Sequence, residues 1–339
     1  MRRLLDRVGR SERAALTLLG LWVGWTWVSA LLADRMPSLT SPYVLSPVVL
    51  VAGVALGQLV ATRLRTDVVV ASLVVVTTVL FLSVILTEGP AKRPIAYANA
   101  NAAVAVQVIG LAGLAMLGSD RVRRVLLWLT VAGALAVIAA NASKAAFAVS
   151  VPLLVAIARM LWRPAARAGW AVLVGSVSMV LSAGAVVHLA ARDQWPPRVL
   201  QALDPVRQSL WNDALSLWAT HPFTGGGPGS LAEYSTLGGD PDTASAHSSL
   251  LQVGAETGLI GAALFGLIVV GGLLWAARGR APYAVLAAAA WTALIVHSLS
   301  DHLLEYTVVV LAAGITLGWA AASRSEELEV PEGERPVPE

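Results

Sequence analysis

The 339-residue sequence contains no cysteine. That excludes a disulfide framework, a thiolate nucleophile and iron–sulfur or zinc–thiolate sites, and it leaves the redox compartment open. Charge is also scarce: 13% of residues are Asp, Glu, Lys or Arg, against about 25% in an average soluble domain. Hydrophobic residues make up 57%, more apolar surface than a soluble core can hide. They fall in blocks of about twenty, the length at which a helix crosses about 30 Å of hydrocarbon. Alternating apolar and polar segments of about ten residues, the mark of a membrane β-barrel, are absent. The net charge of +3 and pI near 9.6 do not indicate nucleic acid, because the positive charge sits between apolar runs. The expected fold is all-α, a polytopic helical membrane protein.

The apolar runs predict about ten spans with ends uncertain by about two to four residues: Ala14–Ala33, Val44–Ala61, Val68–Leu86, Ala98–Leu117, Val125–Ala140, Ala145–Trp162, Trp170–Ala190, Ser248–Trp275, Ala281–Leu299 and Leu303–Ala322. The basic segment Met1–Arg13 ahead of the first run looks like a secretory signal. The run is too long for a typical signal core and more spans follow, so it reads as an uncleaved first helix. Alternation puts Arg63/Arg65, Arg121/Arg123/Arg124, Arg159/Arg163/Arg167 and Arg278/Arg280 on the side of the N-terminus. By the positive-inside rule that side is the cytoplasm. The chain then divides into a cytoplasmic N-terminus (1–13), seven spans (14–190), an extracytoplasmic loop (191–246), three spans (247–322) and an acidic, proline-bearing tail (323–339) expected to be disordered and cytoplasmic.

The long loop holds most of the chemistry-bearing residues. Asp204-Pro205 is a helix start, an acceptor N-cap before proline at the first helical position. Val206, Leu210, Ala214, Leu217 and Trp218 follow on one face, so this amphipathic helix lies on the membrane surface or caps the bundle. Arg207 sits in its first turn, where the helix dipole disfavours a cation by up to about 1 kcal/mol. It either helps the helix end bind an anion or meets a lipid phosphate or Asp204. Gly225-Gly-Gly-Pro-Gly229 is either an anion nest of backbone amides or a tight turn back toward the membrane. His247, where the loop re-enters the bilayer, is a base near neutral pH or a structural histidine. Glu256 is the one acid well inside a predicted span, a costly position that needs a partner or a neutral carboxyl. Nine residues separate it from His247 and put the two on opposite helix faces. Lys144 either snorkels at a helix end or offers a point charge to a phosphate. His297 and Asp301 share a face at the end of the ninth span, as a packing cluster or a site. Asp240-Pro-Asp242 is the one loop pattern with two acids for a divalent cation, a poor ligand set, so no metal and no cofactor are expected.

Three blocks in this order, Asp204-Pro-Val-Arg207 through Trp211, His221-Pro-Phe-Thr-Gly225 through Gly229, and Ala246-His247 through Glu256-Thr-Gly258 and Gly261, resemble the signature region of the O-antigen ligase and polymerase family. Ser143-Lys144 aligns with a serine–arginine pair of that pattern. The motifs cover about 120 residues, and the first half matches only in hydropathy. The chain departs from the family in three places: Lys144 replaces the commoner arginine, Ser248 stands where asparagine is common, and about ten spans replace the twelve often seen.

The resemblance implies an enzyme of the bacterial cytoplasmic membrane performing metal-independent, inverting glycosyl transfer on its outer face. The donor would be an undecaprenyl-diphosphate-linked glycan and the acceptor a glycan or glycolipid hydroxyl. It implies His247 as catalytic base, Arg207 and Lys144 as diphosphate-binding groups, and Trp211, Gly225, Gly227, Gly229 and Glu256 in support; His297 and Asp301 join the supporting set from their shared helix face. A polymerase of lipid-linked repeat units differs only in the acceptor. The rival of another class is a flippase, which calls for charges or broken helices near the bilayer midplane.

Overall fold

Small residues decide which helix sits at the centre. The computed structural model describes residues 9–323 apart from residues 88, 92, 165–166, 238 and 240–242, and among these it contains helices and no strand. The spans are α1 (Arg10–Leu32), α2 (Pro42–Arg63), α3 (Thr66–Ile85), α4 (Ala98–Leu117), α5 (Arg121–Ala140), α6 (Lys144–Trp162) and α7 (Ala168–Ala190), followed after the long loop by α11 (Ser249–Ala276), α12 (Ala281–Leu299) and α13 (Thr307–Ala322). The long loop itself folds into α8 (Pro197–Leu203), α9 (Pro205–Thr220) and α10 (Ser230–Tyr234).

α4 is the axis. Its alanines and glycines let neighbouring helices approach closely, which is how helices associate where lipid supplies no hydrophobic drive. Its most apolar window is 94% buried, whereas that of α7 is 17% buried and faces the surroundings. Asn101 at its head holds the preceding loop by donating to the carbonyls of Ala91 (2.8 Å), Arg93 (3.1 Å) and Ile95 (3.2 Å).

Among the described residues nine helices are long and apolar enough to cross a membrane. The tenth predicted span differs: Leu303–Glu305 is a 3₁₀ turn and only Thr307–Ala322 is α-helical. Its 16 residues rise about 24 Å. Glycine spacing explains why this short helix is held. Gly314 and Gly318 of α13 face Gly53 and Gly57 of α2, and a Cβ at Gly53 would lie 2.6 Å from the Leu311 carbonyl oxygen and 2.9 Å from the Gly314 Cα. This backbone-to-backbone seam is the GxxxG mode of helix packing.

α9 begins as the sequence predicts, with the Asp204 carboxylate accepting from the Val206 N–H at 2.9 Å. It caps the bundle rather than lying on a lipid surface: Leu210 is fully buried, and Trp211, Ala214 and Leu217 are buried in one cluster with Leu251 and Ala255 of α11, while Val206 is exposed. A Cβ at Gly254 would strike the Trp218 ring, so α9 crosses α11 in close contact. The acidic tail and Asp240 and Asp242 lie outside the described residues.

Candidate functional site

The polar groups of the bundle end that carries the long loop converge on one carboxylate. Asp301, in the turn between α12 and α13, has a side chain only 2% exposed. One of its oxygens accepts from the Tyr97 hydroxyl at 3.0 Å and the His302 backbone N–H at 2.8 Å, with His302 Nδ1 at 3.0 Å. The other accepts from Asn99 Nδ2 at 2.7 Å, from the Tyr97 hydroxyl at 3.1 Å and from the Arg207 guanidinium at 3.4 Å. Burial opposes the charge, but the hydrogen bonds from both histidines and the charge of Arg207 outweigh it and hold Asp301 well below the usual carboxylate range. Asp301 is therefore an anion, and a buried anion with this many donors is the stable form.

His247 leans on the same group. Its Nδ1 is 3.2 Å from the Tyr97 hydroxyl and 3.5 Å from Asp301, and its ring meets that of His302 edge-on at 4.6 Å. The backbone at His247 is left-handed, φ 47°, an uncommon state for a residue with a side chain. Directly after it, Ser248 caps α11 and is fully buried. The Asp301 carbonyl then accepts from the Ser249 N–H at 3.0 Å. One turn thus holds His247, the head of α11 and the acidic hub in register. Burial lowers the pKa of His302 despite Asp301, so this ring is neutral near pH 7. Burial, then the Asp301 charge, raises Tyr97 well above its ordinary value and keeps its proton in place.

The remaining residues singled out from sequence divide into two groups. Arg207 joins the hub by its bond to Asp301, with 17% of its side chain exposed. Lys144 does not: it donates to the Gln201 carbonyl at 2.9 Å and is exposed. His297 is buried one turn before Asp301 and makes no hydrogen bond to the hub. Trp211 is fully buried, edge-on to Trp195 at 5.0 Å.

The glycine run is spent on architecture. Gly258 interrupts α11 with φ 67° and ψ −168°, and the loop fills the break: the Leu259 N–H donates to the Pro222 carbonyl at 2.8 Å. In return the N–H groups of Gly226 and Gly227 donate to the carbonyls of Ala255 and Glu256, each at 2.9 Å, and Gly225 donates to the His221 carbonyl. A Cβ at Gly225 would collide with the backbone of Glu256 and Thr257. These amides face acceptors of the protein and are not a nest for a phosphate. The Glu256 carboxyl belongs to the same lock, accepting from Tyr43 Oη at 2.8 Å and Gln252 Nε2 at 2.7 Å.

His247, Asp301 and His302 present ligand atoms within 4.8 Å of one another, so the described residues do contain a three-ligand set, and it is not the Asp240–Asp242 pair. A divalent cation there would meet the Arg207 guanidinium on the same carboxylate, and it would displace donors that already saturate Asp301. Sequence reasoning missed Tyr97, Asn99 and His302. Their signal was modest: a Tyr-Ala-Asn-Ala-Asn head on an otherwise apolar span, and a histidine next to Asp301.

These features define the class: a multi-pass α-helical membrane protein with two histidines, an arginine and a buried carboxylate assembled at one end of its bundle. Residues 128–266 match the family model described as O-antigen ligase, which supports the O-antigen ligase and polymerase family for this chain. The match spans Lys144, Arg207, the glycine run, His247 and Glu256, and stops short of Asp301; Tyr97 precedes it. No curated protein matches the chain. At the level of the family, the chemistry is glycosyl transfer involving lipid-linked glycans at a membrane.

Proposed function

We propose that the chain transfers a glycan from an undecaprenyl-diphosphate carrier to an acceptor hydroxyl on the outer face of the bacterial cytoplasmic membrane, with inversion and without a metal. The observation that carries this reading is the shared carboxylate: Asp301 holds both the Arg207 guanidinium and, with Tyr97, the Nδ1 side of His247. With Nδ1 carrying the proton toward Tyr97 and Asp301, Nε2 is the basic nitrogen. It takes the acceptor proton as the acceptor oxygen bonds to the anomeric carbon. The anomeric C–O bond to the diphosphate breaks, its electron pair leaves on the diphosphate, and Arg207 stabilises the charge that develops there. The base later releases its proton to water. Lys144, on the Gln201 carbonyl, serves as a secondary phosphate contact at the edge of the same loop.

The outer-face assignment is supported by the arginines at the opposite helix ends and the positive-inside rule. It places both termini in the cytoplasm. The test is reconstitution of the full chain in liposomes with an undecaprenyl-diphosphate-linked oligosaccharide. Free undecaprenyl diphosphate is expected only when an acceptor is supplied, and its release is expected to persist in EDTA. If only a second lipid-linked repeat unit serves as acceptor, the enzyme is a polymerase. Movement of intact donor across the bilayer without an acceptor would overturn the reading in favour of a flippase.

A further inference from the structure

His302 faces two ways. Its ring is 4.6 Å from that of His247, and it also lines a cavity of about 410 Å³ whose walls include neither His247 nor Arg207. That cavity opens between the outer-loop end of α1, the segment around Ser38, the head of α2 and the turn before α13. Its chemistry differs from that of the Arg207 side. Trp27, Tyr43 and Tyr306 supply aromatic surface, Glu256 and Glu305 supply carboxyls, and no lysine or arginine is among the lining residues. Glu256 is already satisfied by Tyr43 and Gln252. The Glu305 carboxyl, in contrast, accepts no hydrogen bond from a described residue. Burial, together with the charges of Glu256 and Asp301, pushes it up to about 8, so near neutral pH it carries a proton and can both donate and accept.

Aromatic faces beside a carboxyl without a hydrogen bond from any described residue suit a polyhydroxylated ring, whose C–H faces pack on aromatics and whose hydroxyls need hydrogen-bond partners. A phosphate entering the same space would find no lysine or arginine on its walls, the Arg35 guanidinium beside Gly229 being paired with Glu233, and it would face the Glu256 carboxyl. We propose that this cavity is the acceptor-side sugar subsite and that it selects an uncharged or amine-bearing glycan over a phosphorylated one. The assignment rests on the glycosyl-transfer reading for its role but not for its ligand. Donor diphosphate and acceptor sugar are thereby sorted by charge: the anion goes to Arg207, the acceptor to Glu305, and the His247–His302 pair stands between them.

The experiment is equilibrium binding to the full chain in nanodiscs, with no donor present. The probes are hexyl lactoside, an amino-sugar analogue of it and its 6-phosphate, followed by ligand-detected NMR. The uncharged and amino probes are expected to bind at least tenfold more tightly than the phosphate. Ser38→Trp, at the exposed rim of the cavity, is expected to weaken the uncharged probe at least tenfold. Glu305→Lys should weaken the amino probe and strengthen the phosphate, each by about tenfold. If that variant does not fold, Glu305→Gln, which keeps a neutral group that donates and accepts, should bind the uncharged probe within about threefold of the wild type, whereas Glu305→Leu, which does neither, should weaken it at least about tenfold. Equal binding of all three probes, or wild-type binding by Ser38→Trp, overturns the subsite. Wild-type transfer with an unchanged acceptor KM in Ser38→Trp overturns it while leaving the reaction standing. Selective sugar binding without transfer from any lipid-diphosphate donor sinks the reaction and leaves a glycan site.

Discussion

Two polar assemblies touch α11, and they use their groups in opposite ways. At its head, Asp301, Arg207, His247 and Tyr97 form a side-chain cluster whose charges sit beside the bundle end. Two and a half turns deeper, the glycine loop and Glu256 form a lock in which backbone groups satisfy one another across the Gly258 break. Irregular backbone survives at such depth only when protein partners take its hydrogen bonds. The lesson is that one motif series meets two environments: His247 and Arg207 meet at the Asp301 carboxylate, where the proposed reaction would use them, whereas Gly225, Gly227, Gly258 and Glu256 hold the loop in the break of α11.

The strongest way to break that contrast is at the base. His247→Ala is expected to cut turnover by about 10²–10⁴, the usual range for general base catalysis, with donor binding little changed. A wild-type transfer rate in this variant, measured on monodisperse protein, would remove the histidine from the mechanism. On the architectural side, Gly258→Ala should abolish the folded, monodisperse protein, because a Cβ there strikes the Phe223 carbonyl at a backbone angle that side chains avoid. Glu256→Gln should fold and keep transfer within about threefold, since an amide oxygen still accepts from Tyr43 or Gln252. A well-folded Glu256→Gln protein without activity would move Glu256 to the chemical side of the comparison.

Arg207→Ala should lower donor affinity and turnover together, by about tenfold or more each, if its charge faces the diphosphate both before and during departure, as the proposed reaction requires. The variant also strips one donor from Asp301, so Arg207→Lys is the control. A compact ammonium restores charge but not the planar fork, and partial recovery is expected. Lys144→Arg, which installs the commoner family residue, should change transfer by no more than about threefold. A large loss with intact folding would show that the Gln201 contact orders the loop more tightly than the exposed lysine suggests.

The smallest effect concerns Glu305. Its folded pKa of about 8 lies above the ordinary glutamate value, so the folded state retains a proton that the unfolded chain releases. Its neutral-form preference therefore costs stability progressively as pH rises through the interval between those values, and the cost levels off above about 8. Glu305→Gln should match the wild type in thermal stability at acidic pH and exceed it by a few degrees at pH 9. Identical melting curves at pH 9 would place the carboxyl in solvent.

Much of this was legible in the sequence. Twenty-residue apolar runs dictated the helices, because an unpaired backbone in hydrocarbon leaves no alternative, and arginine placement paired the loop ends. Asp204-Pro205 announced the start of α9 through local capping alone. His247 and Arg207 could be nominated from the order of the blocks around them. Their common partner could not be, since Asp301 lies 94 residues from Arg207 and no periodicity links them.

The sequence by itself therefore determined what is local: helix formation, caps, membrane length and the residue types available for chemistry. Tertiary structure decided which of those residues meet. It turned the glycine run from a possible anion nest into a filler for a broken helix, because Ala255 and Glu256 carbonyls reach its amides first. It drew Tyr97, Asn99 and His302 onto Asp301, because a buried carboxylate must gather donors from whichever helix ends surround it. It also kept a 16-residue helix in the bundle, because two pairs of glycines on distant segments remove the side chains that would hold their backbones apart.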